Sequence, residues 1–312
     1  MMLFSSFSGL LILVCLGCAL AQEKFPLIGY ATLNGGTTGG VGGTETTVTT
    51  SAAFIAAVKG DAKKIVYFKV PIQLSSRAKI GSNTSVIGVG ANAVITGSGL
   101  DVSSVSNVVI RNIVTRKIVG NDAISVKSSK NVWIDHCDFS SDLLSGFDYY
   151  DGLVDVTNGA DYASLVGGNP DAKGETYHIT YHHNFWENVS TRTPALRFSI
   201  AHVFNNYYKD VFAQAVHTRS GAQALIEYNV FRNVTEAIST YGKVIPQDSP
   251  NTSPDGDYEP DGFANERFND FGGFPKNITK VGSLTSVPYA YTVTPLVDVM
   301  TVVNRDVGAG KI

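Results

Sequence analysis

The 312-residue sequence predicts an all-β solenoid, and three observations carry that prediction. A strand pattern recurs: Asn107–Ile113 (NVVIRNI) is echoed 24 residues later by Asn131–Cys137 (NVWIDHC), and again in His178–Phe185, Ala201–Tyr208 and Ala224–Phe231, the last three 23 residues apart. Shorter apolar runs lie between copies, at Ala123–Val126, Leu153–Val156, Ala195–Phe198 and Ala215–Thr218. Glycines punctuate the early strands, with Gly81, Gly88, Gly90, Gly97 and Gly99 marking short turns. A repeat of this length carrying two or three short strands describes rungs that bury their apolar faces only against neighbouring rungs. A β-sandwich is the competing fold, and five copies of one pattern weigh against it.

Taken in order, the chain opens on MMLFSSFSGLLILVCLGCALA, an uncharged apolar run ending in Ala19-Leu20-Ala21. Residues 1–21 therefore read as a signal peptide, with a single domain over 22–312 starting at Gln22. No second apolar run is long enough to span a bilayer, so no membrane is expected as a partner. Sequons at Asn83, Asn188, Asn233, Asn251 and Asn277 agree with a secreted, extracellular glycoprotein. Cys15 and Cys18 leave with the signal, so Cys137 stands alone and no internal disulfide is expected. The net charge of -3 argues against nucleic acid as a partner. A polyanionic ligand would need local arginines or a bound cation, and the protein is expected to act as a monomer.

The Gly/Thr-rich leader has too little apolar content for a regular element before Val48. Phe54, Ile55 and Val58 then fall at helical spacing, with Thr50 or Ser51 as N-cap and Gly60 past the end, which predicts a short helix covering the open end of the stack. Lys64–Val70 and Thr84–Val89 read as strands. The solenoid repeat follows, with one irregularity: 47 residues separate Asn131 from His178, about two periods, yet the long strand expected between them is missing. One rung is therefore truncated. Ile245–Lys276 is rich in Asp, Pro, Gly and Asn and reads as a long surface loop. The tail from Val281 is expected to lie along the solenoid or cap its far end.

The chemistry-bearing residues concentrate in Asn131–Asp155. Asp151 and Asp155 lie four apart, and on a strand residues four apart share a face, so both could meet one ion. His182, His183, Asn184, Asn205, Asn206 and Asn229 fall at the Asn position of the repeat and read as stacked ladder residues. No Cys/His spacing points to zinc, and no Gly-rich strand-to-helix turn points to a nucleotide.

Trp133-Ile134-Asp135-His136, Asp151-Gly152-Leu153-Val154-Asp155 and Thr191-Arg192-Thr193-Pro194-Ala195-Leu196-Arg197 resemble, in this order, motifs of the secreted pectate lyases of polysaccharide lyase family 1, fungal type. The likeness runs from about Gly29 to Tyr291. It implies a right-handed parallel β-helix, Ca²⁺ as cofactor, and cleavage of (1→4)-α-D-galacturonan, the de-esterified pectin backbone, by β-elimination. It also implies Asp122, Asp151 and Asp155 as calcium ligands, Arg192 as the base that takes the C5 proton, Arg197 as a carboxylate clamp, and Arg219 as a further substrate-binding residue. Hard carboxylate oxygens suit Ca²⁺, and three acids at one site would repel one another without a cation. A guanidinium can act as a base only where the C5 proton is acidified and nearby cations disfavour its charge.

Two departures from the family pattern bear on function. Gly120-Asn121 stand where the family often has a further acid before the position of Asp122. The truncated rung also removes the strand that ends in the family's substrate-holding lysine. Lys173, in the loop nearby, does not match that motif, so no catalytic lysine is carried over. The alternative function is a catalytically impaired, pectin-binding β-helix. A β-helix polygalacturonase would need acids placed for hydrolysis, and the pairing of acids with Arg192 and Arg197 argues against it.

Overall fold

The computed structural model describes residues 26–142, 144–145, 149–150, 152–157, 161–163, 177–243 and 258–312. The signal segment, Asp151, Lys173 and the sequon at Asn251 lie outside them. Among the described residues the strands build a parallel solenoid. Its long sheet has ten strands in chain order: Thr44–Val48, Lys64–Phe68, Thr84–Gly88, Ser106–Arg111, Lys130–Asp135, Asp161–Ala163, Tyr177–His182, Ser199–Phe204, Gln223–Glu227 and Phe263–Arg267. The sequence repeat is the register of this sheet. Ser106 pairs with Lys130 and Ile200 with Gln223, so each copy lies on the last, with like side chains stacked along the coil axis.

The other sides of the coil differ along its length. In the N-terminal part, Ile72–Gln73, Val94–Thr96, Val114–Arg116 and Asp138–Ser140 form one sheet, while Ala78–Lys79, Leu100–Ser103, Ile124–Lys127 and Val154–Thr157 form a second. In the C-terminal part these two merge. Tyr207–Arg219 is a 13-residue strand that pairs with Phe185–Val189 at its start and with Ala195–Arg197 at its end, and with Val230–Ser239 throughout, across a register shift between Val211 and Gln214.

Three features differ from the sequence reading. Thr44–Val48 is a strand, although its first four residues are exposed, because it pairs along its whole length with Lys64–Phe68. Inside the segment read as a surface loop, Phe263–Arg267 forms the last strand of the long sheet. The shortened rung keeps a place in that sheet: Asp161–Ala163, three residues where its neighbours have six, bridges Lys130–Asp135 to Tyr177–His182.

A helix spans Ser51–Ala57, where the Thr50 hydroxyl accepts a hydrogen bond from Ala53 N at 3.2 Å and satisfies one of the first-turn donors. It buries Phe54 edge-on against Phe68, ring centroids 5.5 Å apart. The tail runs back along the long sheet. Tyr289 Oη lies 2.9 Å from Thr180 Oγ1 and 2.7 Å from His202 Nδ1, and Thr294 N donates to Asn205 Oδ1 at 2.8 Å. The helix Val299–Asp306 then buries Val299 and Val303 against Tyr207 and Val230. No helix among the described residues is long and apolar enough to cross a membrane.

Candidate active site

Among the described residues a short strand precedes the long-sheet strand in several turns. Ile124–Lys127 precedes Lys130–Asp135, Val154–Thr157 precedes Asp161–Ala163, Ala195–Arg197 precedes Ser199–Phe204, and the end of Tyr207–Arg219 precedes Gln223–Glu227. Among the described residues, the predicted acids Asp122 and Asp155 and the arginines Arg192, Arg197 and Arg219 sit on or beside these short strands. The coil therefore carries them on one side, acids in earlier turns and arginines in later ones.

The acids gather over a glycine. Ser125 pairs with Asp155, and Ala123 N donates to Gly152 O at 3.1 Å, which sets Asp122 beside Gly152 on adjacent turns. A Cβ on Gly152 would lie 2.9 Å from Asp122 Oδ1 and 3.1 Å from Asp155 Oδ1. Two carboxylate oxygens thus converge on a space that only glycine leaves open, and hard oxygen donors of this kind fit Ca²⁺. Asp122 is 4% exposed, and its other oxygen, Oδ2, accepts from Arg77 Nη2 at 3.1 Å while Arg77 Nε donates to Asn121 Oδ1 at 2.8 Å. Arg77 had no mark in the sequence, because it reaches Asp122 across turns from outside the repeat. Asp151, the third predicted acid, lies outside the described residues.

The arginines form a stacked group. Arg192 N donates to Gln214 O at 3.2 Å, and Arg192 has φ 65°, a left-handed conformation that an Arg adopts less readily than the Asn residues at the other corners of the coil. Its side chain is half-buried. Arg197 pairs in register with Arg219 one turn on. Adjacent parallel strands lie about 4.8 Å apart, so two guanidiniums stacked this way repel unless an anion joins them. Glu259 does so. Its carboxylate accepts from Arg197 Nε at 2.7 Å, Arg197 Nη2 at 2.5 Å and Ser220 Oγ at 2.8 Å, and lies 3.3 Å from Arg219 Nη1. Burial pushes the Glu259 carboxyl up, but the hydrogen bond from Arg197 and the charges of Arg219 and Arg197 hold it at about 2. Arg219, expected as a groove residue, is wholly buried, and burial together with Arg197 lowers it to about 9. Glu259 went unseen in the sequence because it sits in the Asp/Pro/Gly-rich stretch that carries no repeat.

The Trp-Ile-Asp-His motif is held in the wall of the coil. Arg111 pairs with Asp135 and lies 4.8 Å over the Trp133 ring, and His136 Nδ1 lies 2.8 Å from Asp135. Cys137 packs against the core, and burial raises its thiol to about 12. Asn184, Asn206 and Asn229 form the predicted ladder, with Asn184 Nδ2 donating to Asn206 Oδ1 at 2.8 Å, Asn206 Nδ2 to Asn229 Oδ1 at 2.9 Å, and Asn229 Nδ2 on to Asn269 Oδ1 at 3.0 Å, whereas Asn205 bonds Thr294 in the tail instead. His182 and His183 stand apart from that ladder. Their Nδ1 atoms are 3.1 Å apart, and His183 Nε2 lies 2.9 Å from Thr294 Oγ1 in the tail.

The family model described as pectate lyase matches residues 2–298 of the chain. A probable pectate lyase A of Aspergillus fumigatus is 45% identical over 283 residues, covering 85% of this chain and 82% of the relative. The pectate lyase A of Aspergillus niger is 44% identical over 283 residues, covering 85% and 81%. Among solved structures, a pectate lyase from Bacillus sp. N165 in complex with trigalacturonate superposes with a TM-score of 0.74 at 29% identity, covering 91% of this chain and 99% of that one.

Proposed function

The chain belongs to the pectate lyase family, and on that premise we propose that it cleaves (1→4)-α-D-galacturonan by calcium-dependent β-elimination. The observation that carries this reading is the convergence of Asp122 and Asp155 over Gly152, on the same side of the coil as Arg192 and Arg197. Asp122 and Asp155, with Asp151, would hold Ca²⁺. When bound, the cation draws electron density from a uronate carboxylate and so acidifies the adjacent C5 proton. Arg197 holds a uronate carboxylate through charge-assisted hydrogen bonds. Arg192 takes the C5 proton, the electrons of the C5–H bond form the C4=C5 double bond, and the C4–O bond breaks with its electrons on the departing oxygen, which takes a proton from water and leaves an unsaturated end. Arg219, one turn from Arg197, lies near enough to Arg192 that the Arg192 charge disfavours its own.

In this reading the coil is right-handed, as parallel crossovers almost always are, and the helix Ser51–Ala57 covers its first turn. The protein is secreted as a monomer after loss of residues 1–21. Sequons at Asn188 and Asn233, both exposed, are open to glycosylation. The test is the ultraviolet absorbance of unsaturated product from polygalacturonate. Product is expected with Ca²⁺ and is lost both with chelator and in Arg192→Ala. New reducing ends without absorbance would mean hydrolysis and sink the proposal.

A further inference from the structure

We propose that Glu259 and the buried Arg219 are positioning residues for Arg197, a brace that fixes the guanidinium which holds the uronate carboxylate. The inference rests on the reading of Arg197 given above and deepens it.

Three observations carry it. First, the Glu259 carboxylate takes the Nε and Nη2 edge of Arg197, the geometry in which an Arg side chain is most fully oriented. Second, the backbone that carries Glu259 is fixed. Glu259 N donates to Gly242 O at 2.9 Å, Ser220 N donates to Pro260 O at 2.6 Å, and Gly262 N donates to Thr240 O at 3.1 Å. Gly242 has no room for a Cβ, which would fall 1.7 Å from Glu259 O, and one on Gly262 would fall 2.4 Å from Thr218 C. A segment packed this closely behaves as a fixture and not as a gate. Third, Arg219 is wholly buried, and the only ion-pair contact on it among the described residues is the 3.3 Å approach of Glu259. Burial strips a guanidinium of water, and removing its partner anion would strand the charge.

The charges explain why the brace has two arginines. Glu259 is shared between two arginines, so orienting Arg197 offsets less than its whole attraction for a polyanion. That matters in a chain whose net charge is -3. Without Arg219, Glu259 would neutralise Arg197 outright.

The opposite role for the same carboxylate would be to occupy the place of a uronate and compete with substrate. The two roles predict opposite signs. If Glu259 is a brace, Glu259→Gln raises KM for polygalacturonate about tenfold, with kcat changed less than about twofold. Glu259→Asp, which keeps the charge but shortens the reach, raises KM by a smaller factor, and Arg219→Met raises it as well. In the Arg197→Ala background Glu259→Gln adds less than about twofold, because the brace acts only through Arg197. A lower KM in Glu259→Gln, or a full tenfold effect that persists without Arg197, would overturn the proposal. Melting temperatures of all variants report folding, and should Glu259→Gln not fold, the same cycle is run with Glu259→Asp. If Arg197→Ala itself leaves KM unchanged, the clamp reading of Arg197 fails. If Arg197→Ala raises KM and no Glu259 variant does, only the brace fails.

Discussion

From Val48 to Val156 the buried column of the coil is mostly aliphatic, with Val66, Val86, Val108, Ile110, Val132 and Ile134 stacked rung on rung. From Tyr177 to Ala264 it carries aromatic stacks instead. Trp186, Tyr208, Phe231 and Phe271 lie nearly parallel at 6.4, 4.6 and 5.5 Å, while Phe185 lies over Tyr207 at 4.9 Å outside that column, in the cluster under the C-terminal helix. The three-residue strand Asp161–Ala163 lies between the two clusters. The walls differ in the same sense: two separate short sheets on the N-terminal side, one continuous sheet built on Tyr207–Arg219 on the C-terminal side. Asp122 precedes its strand and Asp155 lies on a paired one, whereas Arg197 and Arg219 end paired strands and share Glu259, which fixes them before any ligand binds. If the acids hold a cation as proposed, this division leaves that ligand to draw the acids together and the fold to hold the arginines.

The sharpest break in that division should come from its arginine side. Arg192→Ala is expected to lower turnover about 10³-fold, within the range for removing a general base. Its melting temperature should stay near that of the parent, because Arg192 is half-buried and its backbone bond to Gln214 remains. Chelation should abolish turnover from the acid side and also lower the melting temperature, since a ligand bound only by the folded state stabilises it. A chelator that left product formation intact would end the division of labour.

The cores can be set against each other by urea unfolding. Asn206 is wholly buried; its Nδ2 lies 3.1 Å from both Tyr181 O and Phe204 O and 2.9 Å from Asn229 Oδ1, and its Oδ1 accepts from Asn184. Asn206→Ala is expected to cost about 3 kcal/mol, because several buried backbone groups lose their partners at once. Ile110→Val, in the aliphatic column, should cost about 1 kcal/mol. Equal losses would mean that the ladder contributes no more than ordinary packing.

Acid should act on the C-terminal half first. Burial lowers His182 and His217 to about 3 and His183 to about 4, with the neighbouring His183 adding to the effect on His182 and Arg219 to that on His217. The unfolded chain binds protons on these rings below the ordinary value of 6.5, and the folded chain refuses them until pH 4 or lower. Stability is therefore full above pH 6.5 and falls as pH drops toward 4, by on the order of 1 kcal/mol per unit for each ring. Glu227 and Glu259, both held at about 2, lose their contribution only below the ordinary carboxylate range. A melting temperature flat from pH 7 to pH 5 would contradict the neutral burial of these histidines.

Much of this architecture was legible in the sequence because a solenoid writes its register as a repeat. The copies at Asn107, Asn131, His178, Ala201 and Ala224 each mark a strand of the long sheet, and the short rung announced itself by the strand missing from its interval. What the repeat could not show were contacts made from outside it. Thr44–Val48 lacks apolar content because it opens the stack, and Phe263–Arg267 hides in a stretch whose composition is that of a loop. Arg77 and Glu259 reach the acids and the arginines across turns, at separations that follow no period. Strand spacing supplied Asp151 and Asp155, and the resemblance Asp122, Arg192, Arg197 and Arg219, as single residues; that Arg219 is buried, and that one carboxylate serves it and Arg197 together, follows from packing alone.

The smallest predicted effect is the most selective probe of the acid side. Gly152→Ala places a methyl 2.9 Å from Asp122 Oδ1 and 3.1 Å from Asp155 Oδ1, and both contacts are the far ends of side chains that can swing away. Stability without metal should therefore change by less than about 0.5 kcal/mol, as for a substitution outside the core. Calcium affinity, read by titration calorimetry on the free protein, should fall about tenfold, because the two oxygens no longer converge and the methyl takes the space between them. Asp122 would keep its ion pair with Arg77 throughout. An unchanged affinity would place the cation elsewhere on the coil, and the turns that carry the acids would then have no ligand to organise them.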